Sequence, residues 1–360
     1  MAIPLMNLSA QEQRISKQRD NTLTSDEARL KRVRVDRLLK EIRKAPPRIA
    51  IERARLLTAS FRGTEGAPGV LRWALALTQV LENISIFIGE DDLIVGRCGP
   101  PGRYGILYPE LRGAWLEKGF KSLPTRREGR FIITEEDVRI VKEEIVPYWK
   151  GRTVFEANYD LLPEDTRQVL YQRDDPYTPS YVIIDSTTDR SSQQWVPDYA
   201  KVLNLGFNGI LKTAEERIKK LDPFDPDNNY ERLPFLKAVV IVCRAMVAYA
   251  GRYADLARNM AAKENSEKRK KELLEMAAIC DKVPGNPAET FREAIQSQWF
   301  TQVGFRFEQM HGGTIGNGRI DQYLYPFYKK DIAVGRITDD DVLELLELLW
   351  LNMAQNVTLQ

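Results

Sequence analysis

The chain has 360 residues and sets 53 basic side chains against 51 acidic ones, a net charge of +2, with 43% hydrophobic and 29% charged residues. This composition supports a sizeable core and excludes disorder as the main state, while the near-neutral charge gives no reason to expect a nucleic-acid or anionic-membrane partner. Three scattered cysteines (Cys98, Cys243, Cys280) and a lone histidine (His311) exclude a disulfide framework and offer no zinc spacing, so no metal site is expected.

Met1–Ala10 lacks a basic region and turns polar at once, unlike a signal peptide. The longest apolar runs, such as Ala238–Val242, are too short to span a bilayer, and a cytoplasmic location is expected. Residues 24–44 read as an amphipathic helix stopped by Pro46 and Pro47. A second helix is expected over Arg48–Phe61, a buried one over 70–87, and a short strand at Leu93–Gly96. Thr134 followed by Glu135, Glu136 and Asp137 opens another helix. Tyr181–Asp185, β-branched and bounded by Pro179 and Ser186, reads as a buried strand.

Beyond Pro197 the pattern is helical to about Leu221, where Asp222–Pro226 breaks it. The longest helix covers 231–264, and Lys263–Lys271 is a charged junction. Further helices are expected at 266–281, 287–308 and 319–330, and a last one, capped by Thr338, runs to about Ala354. The fold class is α/β, dominated by helices, with three to five short strands.

Few residues suggest chemistry. His311–Arg319 is glycine-rich, but a helix precedes it and no Walker lysine closes it, so the glycines read as a close-packed turn. The most informative polar cluster is Asp189-Arg190-Ser191-Ser192-Gln193-Gln194-Trp195, which leaves a strand and enters a helix. The Arg190 guanidinium with the Gln193 and Gln194 amides suits a carboxylate, phosphate or sulfonate. Loop capping with an ion pair to Asp185 or Asp189 accounts for the same residues, and both readings stay open.

Gly318-Arg319-Ile320-Asp321-Gln322-Tyr323, continuing to Pro326 and Tyr328, resembles a segment of the glycyl radical enzymes of the pyruvate formate-lyase type. Trp195–Tyr199 with Gly206–Ile210, and Pro287–Ala294 with Gln298–Phe300, extend the resemblance over nearly the whole chain. It implies the N-terminal portion of a ten-stranded α/β barrel wrapped in helices, spanning residues 1–360. The cysteine loop and the glycine loop of the family are not in this sequence, so no catalytic residue is expected within Met1–Gln360, and the chain by itself is expected to be inactive.

The same resemblance implies a glycyl radical installed by an S-adenosylmethionine iron–sulfur activating enzyme, a homodimer, and a small anionic substrate. Arg190 and Gln194, four apart, are similar to the anion grip of the branch that cleaves isethionate to acetaldehyde and sulfite. Arylacetate decarboxylases and diol dehydratases are the neighbouring branches, and a helical binding module is the reading outside enzymes.

Overall fold

The computed structural model describes residues 26–44, 46–112, 119–120, 122–172, 175–179, 195–308 and 315–357. Helix α1 (Asp26–Lys44) ends before Pro46 and Pro47, as its sequence requires. Its Arg34 reaches Glu272 at 2.6 Å and Glu344 at 3.5 Å, tying the helix to two later ones.

Arg48–Phe61 is not one helix. Arg48–Ala50 forms strand β1, and only Glu52–Gly63 is helical (α2). The reason lies far along the chain: β1 pairs in parallel with β2 (Tyr104–Ile106) on one edge and bridges Ile132 on the other. The Ile49 N–H donates to Ile132 O at 2.9 Å, and Leu107 N–H to Ala50 O at 3.2 Å. On the far side of β2, Val357 N–H donates to Tyr104 O at 2.7 Å. Four chain segments thus run parallel in the spatial order 132, 48, 104, 356. Parallel strands need helical crossovers that cover their faces, which accounts for the excess of helix.

Helix α3 (Gly69–Asn83) stops short of residue 87. Leu93–Gly96, expected as a strand, joins no ladder among the described residues. Side chains serve its backbone instead: Gln296 bonds both Val95 N–H (2.9 Å) and Val95 O (2.6 Å), and Trp299 Nε1 donates to Gly96 O at 2.8 Å. These bonds come from residues about two hundred positions away, which no local pattern encodes.

The middle of the chain follows its local signals. Thr134 caps α4 (Glu135–Ile140) in a reciprocal box with Asp137. A π-helical stretch (Val141–Ile145) leads into α5 (Val146–Trp149). Then come α6 (Val154–Leu161) and α7 (Glu164–Leu170), followed by a short antiparallel pair, β3 (Tyr171–Gln172) and β4 (Asp175–Pro179).

The rest is helical. It comprises α8 (Tyr199–Ile218), α9 (Leu233–Ala261), α10 (Glu267–Lys282), α11 (Phe291–Glu308), α12 (Ile320–Ala333) and α13 (Asp339–Gln355). Helix α11 begins at Phe291 rather than at Pro287. The helical stretch Asn228–Ala261, which contains α9, is long and apolar enough to cross a bilayer, with a mean hydropathy of 1.8 in its best window. Here it is a core helix: Ala245, Ala250, Ala254 and Ala257 are buried, and Tyr249 and Tyr253 pack edge to face inside the core.

Candidate functional site

Arg190, Gln193 and Gln194 lie outside the described residues, as do Tyr181–Asp185 and His311. Trp195 bridges Ile315 in parallel, and the Gly316 N–H donates to Trp195 O at 2.8 Å. A Cβ on Gly318 would come within 2.6 Å of Val196 Cγ1. Gly316 and Gly318 therefore leave room for the Val196 side chain at this turn.

The wall behind this strand pair is α11, a helix buried on almost every side. One of its faces is polar at i, i+4, i+8: Gln298, Gln302 and Arg306, all buried. Gln302 Nε2 donates to Ile315 O at 3.2 Å, and Gln298 Nε2 to Asn317 Oδ1 at 3.3 Å. The Asn317 carbonyl accepts from Tyr323 Oη at 2.8 Å, and Tyr199 Oη donates to Gly316 O at 3.3 Å. Tyr323 belongs to the Gly-Arg-x-Asp-Gln-Tyr segment, whose Arg319 and Asp321 form an exposed ion pair. That segment packs through Tyr323, while Arg319, at the N-cap of the helix Ile320–Ala333, makes no side-chain cap hydrogen bond.

A second buried cation, Arg53, is fully satisfied. It pairs with Glu110 through both carboxylate oxygens (2.6 and 3.2 Å) and donates to Phe307 O at 2.6 Å. Arg306 differs. It is 4% exposed, its Nε has no acceptor among the described residues, and its guanidinium lies 5.9 Å from the Trp299 ring centroid.

The cysteines are buried and free. Burial pushes the Cys98 thiol up to about 12, against a partial opposing pull from Arg306, and pushes Cys243 up to about 11. Burial also raises Cys280 and the phenols of Tyr104, Tyr108, Tyr199 and Tyr253. These thiols have the opposite of the lowered pKa that activates a nucleophile. Folded-state values above the unfolded ones mean that the folded chain holds protons the unfolded chain has already lost. The contribution of these thiols and phenols is therefore expected to be flat below roughly pH 9 and to fall as pH rises towards about 12. Urea midpoints measured at about pH 8 and about pH 10.5 check this; equal midpoints would contradict it.

The α11 face went unremarked in the sequence. Its signal was there, two amides and an arginine at four-residue spacing inside an otherwise buried helix, but helical spacing alone does not separate a buried polar face from a solvated one.

A profile of the pyruvate formate lyase-like family matches residues 22–360. Isethionate sulfite-lyase of Oleidesulfovibrio alaskensis is 51% identical over 313 residues, covering 87% of this chain and 38% of that protein. The isethionate sulfite-lyase of Nitratidesulfovibrio vulgaris is 48% identical over 352 residues, 98% of this chain and 42% of its own length. The crystal structure of a glycyl radical enzyme from Archaeoglobus fulgidus superposes with a TM-score of 0.82 at 36% identity, covering 91% of this chain and 41% of that one. The chain thus spans about two fifths of the length of the curated relatives it matches.

Proposed function

The chain belongs to the pyruvate formate lyase-like family, and from that membership we propose that it serves, within a polypeptide of its relatives' length, as the N-terminal portion of an isethionate sulfite-lyase. The observation that carries this reading is the identity to isethionate sulfite-lyases along nearly the whole chain. The reaction divides the isethionate anion into acetaldehyde and hydrogen sulfite with no atom or electron left over, so no external oxidant is needed.

Arg190 holds the sulfonate through its planar fork of donors, while Gln194 and Gln193 add neutral amide donors. The lyase uses a glycyl radical installed by an S-adenosylmethionine iron–sulfur activating enzyme. The resemblance places no radical relay on Cys98, Cys243 or Cys280, which lie buried in the core. Radical chemistry is therefore not assigned to them, and the work of this chain is to bind and enclose the substrate. Enclosure suits the reaction, since a carbon radical has to be kept from solvent and oxygen. The assembly is a cytoplasmic homodimer with no nucleic-acid or membrane partner, in keeping with the balanced charge.

The test is sulfite release from isethionate by the full-length protein, kept anaerobic, with the activating enzyme and S-adenosylmethionine. A hydrogen bond to a charged group contributes roughly 1.5–3 kcal/mol, so Arg190→Ala is expected to lower kcat/KM by roughly 10- to 150-fold. Gln194→Ala costs less, because the arginine still neutralises the anion. Arg190→Lys restores only part, since an ammonium cannot make the two-pronged contact. A wild type that releases no sulfite but evolves carbon dioxide from hydroxyphenylacetate or indoleacetate makes the protein a decarboxylase. Unchanged sulfite release by Arg190→Ala removes the anion grip and leaves the lyase.

A further inference from the structure

We propose that the connection between α8 and α9 is an interface between two copies of this chain, the Phe224 ring of each seating in an apolar cavity of the other; this rests on the homodimer reading above. The connecting loop, Asp222-Pro223-Phe224-Asp225-Pro226-Asp227, is fastened by its own side chains. The Phe224 N–H donates to Asp222 Oδ1 at 2.9 Å, and the Asp227 N–H to Asp225 Oδ1 at 3.0 Å. The Asn228 and Asn229 amides reach back to Asp222 O (3.2 Å) and Pro223 O (2.7 Å). Two proline rings restrict the backbone further. On this stiff loop Phe224 is 91% exposed, and Tyr230, on the π-helical turn Asn228–Arg232, is 83% exposed. A preorganised loop loses little entropy when a partner covers it, and aromatic anchors dominate protein interfaces.

The same end of the molecule offers a receptacle. A cavity of about 420 Å³ opens between α3, α8, α9 and α11, walled by Phe207, Ile210, Val239, Val242 and Met246. It takes a different face of α11 from Gln298, Gln302 and Arg306. An apolar cavity of about 150 Å³ holds a benzene molecule, so there is room for a phenyl ring. Phe235, in the first turn of α9 and 57% exposed, marks its mouth a short way along the chain from Phe224. A ring and a receptacle side by side on one surface form a self-complementary patch, as a two-fold interface requires: each copy gives its ring and receives the other's. Charge agrees with shape. Asp222, Asp225, Asp227 and Glu231 surround the ring, while Lys212 and Lys237 flank the cavity residues Ile210 and Ala238. Both lysines are exposed and make no ion pair among the described residues. Burial raises the Glu308 carboxyl in the cavity wall, which lessens its opposition to an acidic loop.

The test uses the full-length protein. Sedimentation over a dilution series gives the dimer dissociation constant. Phe224→Ser is expected to raise it at least 10-fold, the usual result of truncating an aromatic anchor. Lys237→Glu is expected to raise it as well, and adding Asp225→Lys to that variant to restore part of the affinity, because the reversed charges again face each other. These side chains are on the surface, so the variants are expected to fold. A photoreactive benzoylphenylalanine in place of Phe224, irradiated in a mixture of isotopically light and heavy protein, is expected to link to α9 of the other copy. Links confined to its own chain, or to other segments of the second copy, overturn the assignment. So does a dimer that Phe224→Ser and Lys237→Glu leave unchanged; the two-fold contact then lies elsewhere and the homodimer stands. A wild type that stays monomeric at every concentration overturns the homodimer and this inference with it. Sulfite release from isethionate tests the lyase reading separately in each case.

Discussion

Arg53→Met is expected to lower the unfolding free energy by about 3–5 kcal/mol, the typical result of breaking one side of a buried ion pair. Arg53 is fully buried on α2, and its five donor contacts converge from two distant parts of the chain. Glu110 and Leu107 O come from the segment just after β2, while Phe307 O and Glu308 O are carbonyls at the end of α11. Such terminal carbonyls have no partner within their own helix, so the guanidinium acts as a cap as well as a counter-ion. The Tyr108 ring, 4.3 Å from the guanidinium carbon, adds a cation–π contact.

Methionine replaces the volume but leaves the Glu110 carboxylate buried without its cation. The double variant Arg53→Met with Glu110→Leu removes that stranded charge and is expected to recover much of the loss, leaving chiefly the cost of the uncapped carbonyls. Urea midpoints for the wild type, the two single variants and the double variant give the coupling. Strictly additive losses would show that the pair does not act as a unit.

Gly206→Ala is expected to destabilise by an amount on the order of 2–5 kcal/mol, from left-handed backbone strain plus overpacking. Gly206 lies inside α8 with φ +65°, where the helix kinks. The obstacle to a side chain is backbone: an added Cβ would lie 2.3 Å from Gly285 O and 2.6 Å from Asn286 Cα. Neither atom can rotate away. The two segments are also joined by Phe207 N–H to Pro284 O (2.8 Å) and Asn208 N–H to Gly285 O (2.9 Å). A shift that relieved the clash would therefore break hydrogen bonds. Gly251, in the interior of α9 with nothing within 4 Å of an added Cβ, is the control. Gly251→Ala is expected to raise stability by about 0.4–1 kcal/mol. Equal melting temperatures for Gly206→Ala and the wild type would show that the α8 kink is not imposed by this contact.

The sequence by itself determined the helices and their ends, because those signals act over a few residues. Pro46 and Pro47 end α1, Thr134 and Thr338 cap their helices, and Asp222–Pro226 separates α8 from the long helical stretch. It also carried the family, through segments whose local packing is legible one by one, and it marked Arg190, Gln193 and Gln194 by their chemistry. Tertiary structure decided the rest. Arg48–Ala50 carries helix-compatible residues, yet it is a strand because Tyr104–Ile106 and Ile132 offer ladder partners on both edges. Leu93–Gly96 reads as a strand, yet side chains of α11 satisfy its backbone. The different states of Arg53 and Arg306, one met by a carboxylate and one whose Nε meets no acceptor among the described residues, depend on what meets each guanidinium in space. A cap or a proline acts on its immediate neighbours and leaves its mark in the local sequence. Pairing a buried strand edge or a buried charge depends on groups from fifty to two hundred and fifty residues away, and only the folded chain brings those together.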